Sequence, residues 1–184
     1  MSQELILGES LKLRPWRRDD VASLVKHAND AEVAYYTSHR FPHPYTELDA
    51  QKFLRARRKA AAGVSLAIDV DGEAAGGIAV TIGEGTEAHC AELGYWLGRQ
   101  HWGKGVMSPV VARFVPWVMA ERGIVRLEAQ VVVENRASCA LLERIGFVCE
   151  ARMRAAVFKH GRYADALLYS LVNVSTRSSM AEQA

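Results

Sequence analysis

Apolar positions recur along this chain with two different periods, which predict strands and helices in a mixed order. Short runs rich in β-branched and aromatic residues are typical of strands, whereas apolar residues three or four positions apart indicate helices. The predicted order is β-α-α-β-β-β-α-β-α-β-β, which favours an α/β (α+β) fold with a mixed sheet flanked by helices. Predicted strands cover residues 11–14, 64–70, 76–82, 91–97, 125–133, 147–154 and 164–172, and predicted helices cover residues 19–28, 46–62, 106–121 and 136–145.

Turn and cap residues predict where several of these elements begin and end. Asp71 and Gly72 predict the turn of a β-hairpin between the second and third strands. Asp19 or Asp20 can cap the first helix and Thr46 the second, because their side-chain oxygens accept from unpaired amides of the first turn.

Pro116 is the residue that fits these predictions least well, because it falls inside the third predicted helix. A proline there removes a backbone hydrogen bond at a cost of about 3 kcal/mol, so we expect a bend near residues 112–116.

The composition is that of one folded domain of ordinary size. The chain has 184 residues, 49% of them hydrophobic and 24% charged. The net charge of +2 balances 23 basic against 21 acidic residues, so we expect no nucleic-acid partner. No apolar stretch is long enough for a membrane span, and the start lacks a secretory signal pattern. We expect one domain over residues 8–173 and a flexible C-terminal tail over residues 174–184.

Cysteine and histidine spacing argues against a disulfide framework and against a metal site. The three cysteines form no Cys-x-x-Cys pair and predict reduced thiols in a cytoplasmic protein. His39 and His43 are four positions apart, but Pro42 between them argues against a metal pair on one helix.

The segment from Gly98 to Met107 carries the clearest chemical signal. It joins a predicted strand to a predicted helix, so its backbone amides and the positive end of the helix would point at one place, where a phosphate fits. The spacing matches neither G-x-x-x-x-G-K-[ST] nor G-x-G-x-x-G. The alternative is a glycine-rich loop that only caps a helix. The candidate ligand-binding residues of this loop are Arg99, Gln100, His101, Trp102, Gly103, Lys104, Gly105, Val106 and Met107.

Several motifs, in a consistent order over about residues 8 to 172, resemble one superfamily. Gln100-x-x-Gly103-x-Gly105 is similar to the acyl-CoA pyrophosphate loop of the GCN5-related N-acetyltransferases (GNAT). The later segment Glu134-Asn135-x-x-Ser138-x-x-x-x-Glu143-x-x-Gly146-Phe147 resembles the signature of the RimJ/RimL-type branch. The same branch is resembled by Leu11-x-Leu13-Arg14-Pro15, by Phe41-Pro42-x-Pro44-Tyr45-Thr46 and by Arg162-Tyr163-x-Asp165-x-Leu167-Leu168-Tyr169.

The resemblance implies a fold and a reaction. The fold would have a central mixed sheet of six to seven strands, about four helices, and a splayed strand pair that binds acyl-CoA between the Glu92 and Val131 strands. The reaction would move an acetyl group from acetyl-CoA to a primary amine by direct attack in a ternary complex, without a metal. Backbone groups of the first strand would pair with the pantetheine arm, which makes cofactor-binding candidates of Leu93, Tyr95, Trp96 and Leu97.

Two residues are candidates for acid-base chemistry. Glu92 lies in an otherwise apolar strand, so burial in a cleft would raise its pKa and suit it to act as the general base. The alternative is a glutamate on the solvent face. The resemblance makes Asn135 a ligand of the pantetheine arm, although Asn135 could simply cap the helix. Leu142 stands where many relatives have a tyrosine acid, which leaves Ser138 or a water as the proton donor.

The acceptor and the partners are less defined. Tyr35, Tyr36 and Phe41 lie in the early segments where this family builds its acceptor site, although ordinary packing would explain them too. The acceptor would be a protein or peptide N-terminal α-amine or a small amine. Two alternatives are a non-catalytic acyl-CoA sensor and an antibiotic or polyamine acetyltransferase. The final strands could also pair between two copies, which leaves a homodimer open.

Overall fold

The computed structural model describes residues 4–38, 41–59, 63–159 and 161–174. Short 3₁₀ turns cover Arg18–Asp20, Gly85–Glu87 and Arg99–His101. The helices are α1 Val21–Ala28, α2 Ala31–Tyr36, α3 Glu47–Lys59, α4 Met107–Arg122 and α5 Arg136–Ile145. The strands are β1 Leu5–Ile6, β2 Leu11–Arg14, β3 Gly63–Val70, β4 Glu73–Ile82, β5 Cys90–Leu97, β6 Arg126–Val132, β7 Val148–Lys159 and β8 Arg162–Val172.

The strands form one mixed sheet in the order β1-β2-β3-β4-β5-β6-β8-β7. Strands β5 and β6 run parallel, and the pairs β1–β2, β2–β3, β6–β8 and β7–β8 run antiparallel. This confirms the predicted mixed sheet flanked by helices. Among the described residues there are eight strands and five helices, one more of each than the periods predicted. The additional elements, β1 and α2, have two and six residues and are too short to show a period.

The chain divides into two compact units. Unit one comprises residues 1–80 and 94–113, and unit two comprises residues 81–93 and 114–184. Strands β4 and β5 and helix α4 contribute residues to both.

The core of unit one lies where α1 and α3 pack. Leu24, Ala28, Tyr45, Ala50 and Leu54 form its buried cluster. The predicted cap of α3 is confirmed, since the Asp49 amide donates to Thr46 Oγ1 at 3.3 Å and the Thr46 amide donates to the Asp49 carboxylate.

Arg14, at the end of β2, is buried in unit one with only 1% of its surface exposed. It donates two bonds to the carboxylate of Asp20, at 2.8 and 2.9 Å, and a short bond to Asp69 on β3. Burial alone would lower the pKa of Arg14, but its hydrogen bonds to Asp20 and Asp69 raise it. Asp20 is the N-cap residue of α1, one of the two predicted, but its side chain makes no capping bond, since its carboxylate accepts from Arg14 and from the Arg17 amide.

Unit two buries the second half of α4 against a core of its own. Its buried residues include Phe114 and Val118 on α4, Leu127 on β6, Leu142 on α5 and Tyr169 on β8. Helix α4 continues through Pro116 to Arg122, and the bend near residues 112–116 stays a prediction.

The outer strand of the sheet, β7, has an irregular middle. Its register against β8 shifts between Met153 and Val157, and Ala155 there has φ +51°. The Ala155 amide donates to the Asp165 carboxylate at 2.9 Å, and Arg152 donates to the same group. The bulge is therefore held by a side chain of the neighbouring strand.

Some predictions fall outside the described residues. These are the end of the second helix at residues 60–62, His39, and residues 175–184 of the expected tail. The extent of the domain, residues 8–173, stays a prediction. In the part of the chain that is described, no helix is both long and apolar enough to cross a bilayer.

Replacing Arg14 by methionine is expected to destabilise the protein by about 3–5 kcal/mol, because two buried carboxylates then lose their only cationic partner among the described residues. Urea unfolding of purified variants measures this. The control is Arg17→Met, which removes an exposed arginine and should change the free energy of unfolding by less than about 0.5 kcal/mol. Equal losses in the two variants would contradict a special role for Arg14.

Candidate functional site

The predicted loop between β5 and α4 is confirmed as a turn with an open upper surface. It begins with the 3₁₀ turn Arg99–His101 and reaches Met107, the first residue of the 16-residue helix α4. Gly103 and Gly105 have φ +70° and +75°, a conformation that other residues adopt at a cost. A Cβ at either position would find nothing within 4 Å, so these glycines are required by backbone conformation and not by crowding.

The loop presents unpaired donors. The amides of residues 103–106 have no hydrogen-bond acceptor among the described residues, whereas the preceding amides of His101 and Trp102 donate within the 3₁₀ turn. The Trp102 indole donates to the Leu97 carbonyl at 2.7 Å, which fixes the loop to the end of β5. Four unpaired amides just before a long helix form a site suited to an anion.

The charges around the loop are not all available to a ligand. The Arg99 guanidinium lies 2.9 Å from Glu32 and 3.8 Å from Asp30, both at the start of α2. Arg99 is thus held by two carboxylates, while Lys104 is exposed on the loop itself. Burial, followed by the charge of Lys104, lowers the pKa of His101, so its ring favours the neutral form.

The proposed acceptor residues lie beside the loop. Tyr36 packs at 6.2 Å from Trp102 and at 5.1 Å from Tyr35, and Phe41 packs at 5.4 Å from Trp96 on β5. Unit one therefore brings the aromatic residues of α2 and of the following segment together with the ligand-binding candidates Trp96 and Trp102.

Two other early aromatic residues, Trp16 and Tyr45, belong to the core of unit one, against which Phe41 and Trp96 also pack. Trp16 packs edge-on against Phe53 at 5.0 Å and donates to Ser65. Tyr45 is 5% exposed, and burial raises the pKa of its phenol to about 12.

Glu92 is exposed on β5. Its neighbours Ala91 and Leu93 are buried, so Glu92 lies on the opposite face of the strand from them, and its place in a cleft stays a prediction. Its partner across the parallel pair is Glu128 on β6, whose carboxylate binds Arg126 at 2.6 Å. The register of β5 with β6 covers Cys90 to Glu92, although both strands continue.

The start of α5 is built as predicted. Asn135 accepts from the Ser138 amide at 3.1 Å, so the capping role of Asn135 is confirmed. Ser138 is 9% exposed and lies one turn into the helix, and the helix ends at Gly146. The ligand-binding role of Asn135 and the proton-donor role of Ser138 stay predictions.

The position at which the resemblance predicts a tyrosine acid holds no polar group here. Leu142 is fully buried. A tyrosine does reach α5 from β8, since the Tyr169 hydroxyl donates to Glu143 at 2.8 Å. Burial and this bond raise the pKa of Tyr169, which keeps it protonated but tied to Glu143.

Three features of the site carried no signal in the sequence. They are the ion pairs of Arg99 with α2, the Glu92–Glu128 register, and the packing of His27 against Gly98. Each joins residues far apart in the chain, so no local pattern encodes it. The described residues contain no group of three or more histidine, cysteine or acidic side chains arranged to hold a metal.

The comparisons with known proteins agree with this geometry. The acetyltransferase (GNAT) domain family matches residues 10–148. N-acetyltransferase p20 of Bacillus licheniformis, of uncharacterised role, is 38% identical over 82 residues, which are 45% of this chain and 46% of that protein. The chain thus aligns with less than half the length of the curated relatives that it matches.

Several solved acetyltransferase structures share the fold. A RimL ribosomal L7/L12 alpha-N-protein acetyltransferase in complex with coenzyme A has a TM-score of 0.81 at 22% identity, covering 92% of this chain and 98% of that one. The microcin C7 self-immunity acetyltransferase MccE, in complex with acetyl-CoA and AMP, has a TM-score of 0.79 at 20% identity, covering 91% and 94%.

Replacing Asn135 by alanine should destabilise the protein by about 1 kcal/mol, because the Ser138 amide loses its acceptor. Thermal or urea unfolding measures the change. The control Asn135→Asp keeps an oxygen acceptor at the helix start and should retain stability. An unchanged stability of the alanine variant would show that the cap contributes nothing.

Proposed function

Because the chain belongs to the GNAT acetyltransferase family, we propose that it transfers an acetyl group from acetyl-CoA to a primary amine. The observation that carries the proposal is the loop at residues 103–106, with its four unpaired amides at the start of α4. The left-handed backbone and the open space above Gly103 and Gly105 fit the close approach of a pyrophosphate.

The donor site would use both the loop and β5. The amides of residues 103–106 would hold the pyrophosphate, with Lys104 adding charge at the rim. The backbone of Leu93 to Leu97 would pair with the pantetheine arm as an added strand would. Asn135 would contact the same arm while keeping its capping bond to Ser138. When bound, acetyl-CoA supplies a thioester whose carbonyl carbon is open to attack.

The base of this reaction would be Glu92. An amine attacks only when its nitrogen is neutral, so a carboxylate must take one proton from it. Glu92 is exposed on β5, between the buried Ala91 and Leu93. A bound acceptor that excludes water from Glu92 would strengthen the attraction between its carboxylate and the ammonium group.

The leaving thiolate needs a proton in return. We assign this step to Ser138, which is nearly buried at the start of α5, or to a water, since Leu142 cannot serve. Starting from the ammonium form, the N–C bond forms, the C–S bond breaks, and nitrogen loses two protons. Glu92 takes the first before attack and releases it to solvent, and the second passes to sulfur by way of Ser138 or a water.

The acceptor would lie on the aromatic side of the loop. Tyr36 on α2 packs against Trp102, with Tyr35 against Tyr36, and Phe41 packs against Trp96, so an acceptor held there would be close to the donor site. The structural relatives include a protein α-amine acetyltransferase and an immunity acetyltransferase crystallised with AMP. We propose a protein or peptide N-terminus, or a small amine, as the acceptor class.

Acetyl-CoA and CoA should each raise the melting temperature of the protein, and NADH should not. At about 100 times Kd a ligand stabilises by about 2.7 kcal/mol, and each kcal/mol is worth about 2–4 °C in a domain of this size. Gly103→Val should abolish the shift, because valine resists the left-handed backbone and projects into the phosphate space.

The matched control is Gly85→Val. Gly85 also has a positive φ, +58°, with nothing within 4 Å of a Cβ, but it lies in a different turn. This variant should keep the full shift with both CoA species. A shift retained by Gly103→Val would show that the loop does not bind the pyrophosphate, and the absence of any shift in the unsubstituted protein would overturn the proposed function.

Glu92→Gln should slow acetyl transfer to a panel of primary amines by about 100-fold or more, because the amine keeps its proton. The Kd for acetyl-CoA should stay within about twofold, since the loop is untouched. Steady-state rates and isothermal titration calorimetry measure the two quantities.

Glu128→Gln is the matched control, one strand away at the same level of the sheet. It should keep nearly full activity, because Glu128 is already paired with Arg126. Loss of activity in Glu128→Gln but not in Glu92→Gln would move the base to β6.

A further inference from the structure

A buried histidine on α1 lies against the first residue of the loop. His27 is 3% exposed, and a Cβ placed on Gly98 would lie 2.6 Å from its Nδ1 and 2.9 Å from its Cβ. Gly98 has φ −58° and ψ 137°, which any residue can adopt. Gly98 is therefore required by the space that His27 occupies, whereas Gly103 and Gly105 are required by their backbone conformation.

Gly98 is the residue from which the loop is positioned. Its amide donates to the Ala75 carbonyl on β4 at 2.8 Å, and its carbonyl accepts from the His101 amide at 2.9 Å. The His101 ring lies 5.3 Å from the His27 ring. One imidazole thus contacts both the beginning and the end of the 3₁₀ turn that precedes the unpaired amides.

His27 makes these contacts without a hydrogen bond at Nε2. Its Nε2 has no hydrogen-bond partner among the described residues and lies 3.4 Å from a Glu73 oxygen, in poor geometry. Glu73 is itself occupied by Lys26 at 2.8 Å. Burial lowers the pKa of His27, against the opposing effect of Glu73, so the ring packs in its neutral form. Its role at this place is steric.

We propose that His27 is a positioning residue for acetyl-CoA binding. Its ring packs against Gly98 and thereby fixes the position of the 3₁₀ turn and of the phosphate-binding amides that follow it. The inference rests on the proposed function and adds a residue to it that does not touch the ligand. The His27 ring fills the space that a side chain at position 98 would need, so the two residues are complementary in volume.

The test is a set of size-matched variants with the Kd for CoA measured by calorimetry well below the unfolding temperature of each. Gly98→Ala should weaken CoA binding by about tenfold or more, because the added methyl group meets His27 and lifts the turn. Adding His27→Ala to that variant should restore the affinity to within about threefold of the unsubstituted protein, as coupled neighbours do in a double-mutant cycle.

Two controls separate positioning from general damage. Gly8→Ala introduces the same methyl group where nothing lies within 4 Å, and should leave the Kd unchanged. His27→Phe keeps a ring of similar thickness, so alone it should retain affinity, and combined with Gly98→Ala it should fail to rescue. Circular dichroism confirms that each variant is folded, and rescue of affinity by the smaller side chain alone is a result that loss of folding would not produce.

The outcomes are distinguishable. Equal CoA affinity in Gly98→Ala and Gly8→Ala, or equal rescue by His27→Ala and His27→Phe, would overturn the positioning role. If Gly98→Ala does not fold, His27→Ala in combination with it must restore both folding and affinity for the inference to stand. A failure of the unsubstituted protein to bind CoA would instead overturn the proposed function.

Discussion

The hydrogen bonds of the buried Arg14 guanidinium to Asp20 and Asp69 hold together the parts of unit one that carry the loop. Asp20 precedes α1, which carries His27, and Asp69 accepts from Gly72 in the turn before β4, which carries Ala75. One cation among two buried anions is stable only because backbone amides complete their hydrogen bonding. The support of the loop, on α1 and β4, therefore depends on charges that lie away from the ligand.

Much of the fold could be predicted from the sequence because its signals are local. Helix α5 has the predicted bounds, since Asn135 supplies an acceptor to its first turn and Gly146 ends it. The β3–β4 hairpin follows from Asp71 and Gly72 in the same way. The two elements that the sequence did not reveal, β1 and α2, are too short for an apolar period to repeat. They are held by contacts with β2 and with Arg99 of the loop.

In the candidate site too, features set by local sequence could be predicted and features set by long-range contacts could not. The loop was recognisable from the spacing of Gly103 and Gly105, because a left-handed backbone restricts residue type. The requirement at Gly98 was not recognisable, since it comes from a side chain 71 positions earlier. The face of Glu92 was ambiguous in an apolar strand and required the burial of Ala91 and Leu93 to settle it. Long-range contacts leave no trace in local pattern.

The ion pairs of Arg99 connect two parts of unit one that a ligand would use separately. Arg99 belongs to the loop, while its partners Asp30 and Glu32 begin the helix that carries Tyr35 and Tyr36. An anion that draws the Arg99 guanidinium toward the loop must weaken the ion pairs of Arg99 with Asp30 and Glu32. A group that strengthens those ion pairs must in turn take the positive charge of Arg99 away from the anion. By thermodynamic reciprocity, an anion bound at the loop and a ligand bound at α2 change each other's affinity by the same factor. A single guanidinium therefore couples binding at the loop to binding at α2.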